Sequence, residues 1–141
     1  MSRTWLITGI SSGFGYEITK QLLAKGDTVV GTVRKTDKIK NLMEEYPKNL
    51  DVKILDVTDV PALQKTVKEA FAEHGKIDVV ISNAGYGLFG AAEELSDEQI
   101  NHIIATNLTG SIQLIKTSLP FMRKQGGGRI IQISSYGGQV A

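Results

Sequence analysis

The stretch Thr8–Gly15, TGISSGFG, constrains this chain more than any other. Three apolar residues, Trp5-Leu6-Ile7, precede it, and Ile18, Leu22 and Leu23 come after it at helical spacing. An apolar strand that runs through a glycine-rich turn into a helix is the context in which such a turn cradles phosphate. Glycines permit the tight turn and the close approach of backbone to ligand. The helix adds unpaired N–H groups and the positive end of its dipole, and a pyrophosphate carries the complementary charge. The turn therefore implies a dinucleotide site near the head of the chain.

The rest of the sequence repeats the same rhythm. Strands are predicted at Thr4–Thr8, Thr28–Val33, Asp51–Leu55, Asp78–Ser82 and Arg129–Ser134. Most are nearly continuous apolar runs, as expected where helices cover both faces of a sheet. Helices are predicted between them. The first spans Gly13–Lys25 and stops at Gly26; a short one lies at Asp37–Glu45, ahead of Pro47. A third covers Val60–His74, with Thr58 or Asp59 as its cap and Gly75 at its end. The longest, 97–124, opens on a capping box in Ser96-Asp97-Glu98-Gln99. Its apolar stripe, Ile100, Ile103, Ile104, Leu108, Ile112, Ile115 and Leu119, reads as a core face. Alternating strands and helices with right-handed crossovers give an α/β fold. The expected architecture is a Rossmann-like, doubly wound parallel sheet of five strands in the order 3-2-1-4-5. Residues 1–141 read as one dinucleotide-binding domain, incomplete at its C-terminus because no sixth strand is present.

In such sheets ligands bind beyond the carboxyl ends of the strands. Past the ends of the five strands lie, in turn, TGISSGFG, Arg34-Lys35, Asp56-Val57, Asn83-Ala84-Gly85 and Ser135. Polar and glycine residues thus collect on one edge. Composition narrows the alternatives. A formal net charge of +1, with both signs interspersed, leaves no basic stripe for nucleic acid. The absence of cysteine excludes disulfides and thiolate metal sites. His74 and His102 have no neighbours in sequence at metal-ligand spacing, so no metal is expected; His74 reads as a helix-end residue and His102 as lying on an outer helix face. No apolar run is long enough to span a bilayer and no signal peptide is recognisable, so a cytoplasmic protein without membrane contact is expected.

Taken together, these residues make the chain resemble the short-chain dehydrogenase/reductase family along its whole length, in particular the branch with retinol and hydroxysteroid dehydrogenases. Thr8, Gly9, Gly13 and Gly15 fit the family's T-G-x-x-x-G-x-G motif. Asp56, Asn83-Ala84-Gly85, Asn107 in TNLTG, and Ser135 in S-x-x-G occur in the family's order. The resemblance implies that Gly9, Ser11, Ser12, Gly13, Phe14 and Gly15 wrap the pyrophosphate. It implies that Asp56 accepts a hydrogen bond from the adenine amino group with the Val57 backbone beside it, and that Asn83, Ala84 and Gly85 support the cofactor's ribose. It assigns catalytic parts to Asn107, through a water relay, and to Ser135, on the substrate carbonyl oxygen. The implied activity is hydride transfer between a nicotinamide and an alcohol or carbonyl compound. The outer face of the helix 97–124 would form a homo-oligomer interface.

The sequence departs from the family in one respect. The family's base is a tyrosine in Y-x-x-x-K soon after the serine, and no such pair comes after Ser135 here. Tyr16–Lys20 matches the pattern but lies on the first helix, away from any nicotinamide; Tyr136 has Val140 at the lysine position. The chain therefore reads as the N-terminal part of a longer enzyme, inactive by itself. For the cofactor, an NAD enzyme carries an acid at the end of the second strand. Val33 stands there instead, with Arg34 next, whose fork suits a phosphate, so NADP is expected over NAD. Some alternatives stay open. Asn107 also fits a kink-stabilising role, Asp56 a helix cap, and Tyr86, Leu88 and Phe89 either a substrate entrance or packing. A non-catalytic nucleotide-binding module or sensor on the same fold is the second functional class.

Overall fold

The computed structural model of the chain describes residues 2–86 and 91–134. Leu6 marks the middle of its sheet. This residue of β1 (Thr4–Ile7) pairs in register with Val30 of β2 (Thr28–Val33) on one side and Val80 of β4 (Val79–Ser82) on the other. Strand β3 (Leu50–Ile54) lies outside β2, and β5 (Arg129–Gln132) outside β4. All pairings are parallel, and the order is β3-β2-β1-β4-β5, as the sequence predicts.

Both faces are covered because side chains alternate across a strand. On one face Leu6, Val30 and Val80 join Leu63, Val67, Ala70 and Phe71 of α3 (Val60–His74) and Leu114 and Met122 of α5 (Gly110–Lys124). Phe71 stacks on Phe121 at 4.8 Å between centroids. On the other face Ile7, Val29, Val79 and Ile81 meet Leu23 of α1 (Gly13–Ala24) and Leu42 of α2 (Lys40–Glu45). Gly31 lies opposite Ile7 on this face, and Ile10 fills the space a side chain there would need. Each fully buried Leu, Ile or Val contributes about 1.5–3 kcal/mol.

Ends are set by local chemistry. Asp59 caps α3 by accepting from Ala62 N at 3.1 Å, and Gly75, at φ 75°, closes it. Asp56 is thus not the cap. Ser96 and Gln99 form the predicted capping box of α4 (Asp97–Ile104). Helix α2 begins three residues later than expected, after Ile39 has tucked into the core. At the amino ends of the strands, buried Asp27 accepts from Arg3 N at 3.0 Å and the Trp5 indole at 2.9 Å, with Lys25 Nζ at 3.2 Å. Burial opposes its charge, but these three partners prevail and hold the carboxyl below the usual aspartate value.

The predicted helix 97–124 is continuous but not uniform. Between α4 and α5, Ala105–Thr109 winds as a wider π-helical turn. Its apolar stripe is not the core face. Ile104, Leu108 and Ile112 are 47%, 56% and 52% exposed, whereas Gly110, Ser111, Leu114, Ser118 and Met122 face inward. Small residues occupy the inner side because the backbone approaches closely: a side chain on Gly110 would lie 3.2 Å from Val57 O.

Candidate active site

The carboxyl ends of the strands open into a cleft of about 390 Å³. Its floor is the glycine turn. Gly9 N and Ile10 N both donate to Thr32 O at 3.0 Å, which ties the turn to β2. Gly9 has φ 72°, and a Cβ there would sit 3.0 Å from the Ala84 Cα, so only glycine fits. Gly13, at φ 59°, starts α1. Ser12 is in the N-cap position, yet its side chain makes no capping bond, so the first-turn amides of α1 are left for a ligand. Ser11, Ser12, Gly13 and Phe14 line the cleft, with Phe14 74% exposed. Gly15 does not line it. It is buried beneath, where a side chain would collide with Gly9 O and the Asn83 amide.

The second and third strand ends supply charge. Arg34 and Asp56 both line the cleft. Asp56 accepts from Thr58 N at 3.0 Å and the Thr58 hydroxyl at 2.7 Å. Those two bonds keep its carboxyl below the usual value; partial burial opposes, and the nearby Arg34 and His102 add to the lowering. Asp56 is therefore an ionised acceptor at neutral pH, with Val57 beside it.

Asn83, Ala84 and Gly85 form the opposite wall. The Asn83 amide donates to Gly9 O at 2.9 Å and Thr8 O at 3.2 Å. The Thr8 hydroxyl, 2% exposed, accepts from Asn83 N at 3.0 Å and Ala84 N at 3.1 Å. Thr8 and Asn83 thus lock the β1 turn to the end of β4. The motif contains Thr8, but its bonding partners lie 75 residues or more away in sequence.

Asn107 lies in the π-helical turn and outside the cleft lining. Its amide clamps the next residue after the motif, accepting from Tyr86 N at 2.9 Å and donating to Tyr86 O at 2.7 Å. Its own carbonyl accepts from Ser111. Ser135, like Leu88, Phe89, Tyr136 and Val140, lies outside the described residues.

The two histidines do more than the sequence suggests. His102 is exposed on its helix, as expected, but it also lines the cleft and meets the Tyr86 hydroxyl through Nδ1 at 2.7 Å. His74 does have company, because Asp51, Glu73 and His74 offer ligand atoms within 4.8 Å of one another. The Lys53 ammonium already occupies that cluster, 2.7 Å from Glu73 and 3.6 Å from Asp51, while His74 Nε2 meets Asp51 at 2.9 Å. It is an ion-pair network on β3 and the end of α3, apart from the cleft lining. Tyr16 packs into the α1 face of the core, which removes the first Y-x-x-x-K match from the cleft.

Comparison with known proteins adds a family to this geometry. A family profile described as short chain dehydrogenase matches residues 3–141. An oxidoreductase of Botryotinia fuckeliana, BOA17, is 38% identical over 141 residues, covering 99% of this chain and 52% of the relative. A short-chain dehydrogenase from Streptomyces avermitilis superposes with a TM-score of 0.94 at 37% identity, covering all of this chain and 52% of the other. The NADP-bound structure of ElxO superposes with a TM-score of 0.89 at 30% identity, covering 100% and 58% respectively. The chain spans about half the length of the curated relatives it matches.

Proposed function

We propose, because this chain belongs to the short-chain dehydrogenase family, that it is the cofactor-binding part of an NADP-dependent oxidoreductase acting on an alcohol or carbonyl compound. One observation carries the reading: a single cleft joins an uncapped helix start, an arginine and an ionised aspartate. The residues suit a dinucleotide phosphate. The free amides of α1 and the glycine turn match a pyrophosphate. Arg34, with no acid at the end of β2, matches a 2′-phosphate. Asp56 matches the amino group of a purine. The NADP held by ElxO, a protein of the same fold, supports this choice.

A bound nicotinamide would supply or receive the hydride. The chain's own residues bind and orient. Thr8 and Asn83 hold the turn, and Asn107 fixes the segment after β4. Ser135 is assigned the substrate oxygen by its place in the S-x-x-G motif. The outward stripe Ile104, Leu108 and Ile112 is read as the contact with a second copy, since an apolar row of this kind is unfavourable in water. Fluorescence titration of the purified protein with NADPH tests the core of the reading. Saturable binding that NADP displaces is expected; no binding at millimolar NADPH would reject it.

A further inference from the structure

Tyr86 and His102 are both surface residues, yet each is held. The Tyr86 peptide is clamped on both sides by Asn107. Its ring reaches His102, with centroids 5.3 Å apart and the hydroxyl 2.7 Å from Nδ1. Asn107 and His102 stand on the same continuous helical stretch, so the three residues close a ring of contacts. Exposed side chains ordinarily gain little from such ordering, and neither the glycine turn nor the sheet requires it.

The position of this ring suggests its purpose. His102 and Thr106 line the same cleft as Asp56 and Val57. When the tyrosine hydroxyl donates to Nδ1, the neutral imidazole carries its proton on Nε2, and no described residue bonds that nitrogen. The Thr106 hydroxyl is buried and has no hydrogen-bond partner among the described residues. The helix side of the cleft therefore offers two donors, and the end of β3 offers the Asp56 carboxylate as acceptor. A 6-aminopurine has the matching pattern, an exocyclic donor and ring-nitrogen acceptors.

We propose that Tyr86 and His102, with Thr106 beneath them, form the outer wall of the purine end of the cleft and make it selective for adenine. Tyr86 is the positioning residue and His102 the contact. This inference rests on the dinucleotide reading above.

The protein contains two histidines, which gives the test an internal control. His74 is paired with Asp51, outside the cleft lining. Imidazole NMR signals are monitored while adding 2′,5′-ADP or, separately, nicotinamide mononucleotide. The His102 signals should move with 2′,5′-ADP and stay still with the mononucleotide, and the His74 signals should not move with either. His102→Ala should weaken 2′,5′-ADP and NADPH about tenfold, and Tyr86→Phe about two- to fivefold, as loss of one hydrogen bond does. Neither should change mononucleotide affinity. A wild-type protein that binds NADPH while His102 signals stay fixed, or while His102→Ala binds 2′,5′-ADP within about twofold of wild type, overturns this proposal alone. A wild-type protein that binds no NADPH overturns the dinucleotide reading and this proposal with it.

Discussion

Replacing Thr8 with valine removes one oxygen and leaves the side chain's shape almost unchanged. That oxygen accepts two backbone N–H groups, from Asn83 and Ala84, in a site where Thr8 is 2% exposed. A buried donor left without a partner costs about 1–3 kcal/mol. Both amides belong to a partly buried wall, so the lower half of that range applies to each, and Thr8→Val should cost about 2–4 kcal/mol. Thr8→Ser keeps the acceptor and loses a methyl group, worth about 1 kcal/mol. The order of stability is therefore wild type, then serine, then valine. Urea denaturation monitored by far-UV circular dichroism measures it, with an unchanged slope showing that only stability has moved. A loss near ~3 kcal/mol is large against a typical total of about 5–15 kcal/mol, but it leaves a folded protein to study. A valine variant within about 0.5 kcal/mol of wild type, or a serine variant less stable than the valine one, would refute the reasoning. The valine variant should also bind NADPH more weakly, because Gly9 rests on Ala84 and the two move together.

Three further outcomes depend on particular residues. Arg34→Ala should weaken NADPH by about 1.5–3 kcal/mol and leave NADH nearly unchanged; equal losses by titration would contradict the assignment of Arg34 to the 2′-phosphate. Asp27 is held below the usual aspartate value of about 4, so it binds fewer protons folded than unfolded. Its contribution is therefore complete above about pH 4 and is lost as pH falls through the lower folded value. Acid melts should show Asp27→Asn less stable than wild type at neutral pH, with the gap closing below about pH 4; a constant gap would count against the sign. Leu108→Glu should leave the melting curve of dilute protein unchanged while light scattering drops to the mass of one chain. The same mass for both proteins would remove Leu108 from any subunit contact.

The sheet was legible because most of its strands are nearly continuous apolar runs, most clearly the buried β2 and β4, a pattern that two-sided burial imposes. Boundaries shifted by a residue or two: Asp78 stands just before β4, although its backbone bonds Thr4 and Arg129 and its carboxylate accepts from Thr4 N. The glycine turn was legible for a different reason: close approach leaves a mark on composition. The inner face of the helix 97–124 was not legible. Periodicity shows that an apolar stripe exists, not which side the sheet lies on, and here close packing puts Ser111 and Ser118 inside and leaves Ile104 and Leu108 in water. His102 escaped for a related reason. Nothing near it in sequence announces Tyr86, sixteen positions away, as its partner.

The lock between Thr8 and Asn83 also bears on how the molecule assembles. The turn after β1 meets β2 across 23 residues, but it meets the end of β4 across 75. A contact of longer sequence separation costs more loop-closure entropy, so joining the turn to β4 costs more than joining it to β2. The cleft has both its floor and its opposite wall only with that joint closed. A ligand that spans both therefore binds the closed form. At about a hundred times its dissociation constant it would stabilise the finished sheet by about 2.7 kcal/mol, acting through the joint between Thr8 and Asn83.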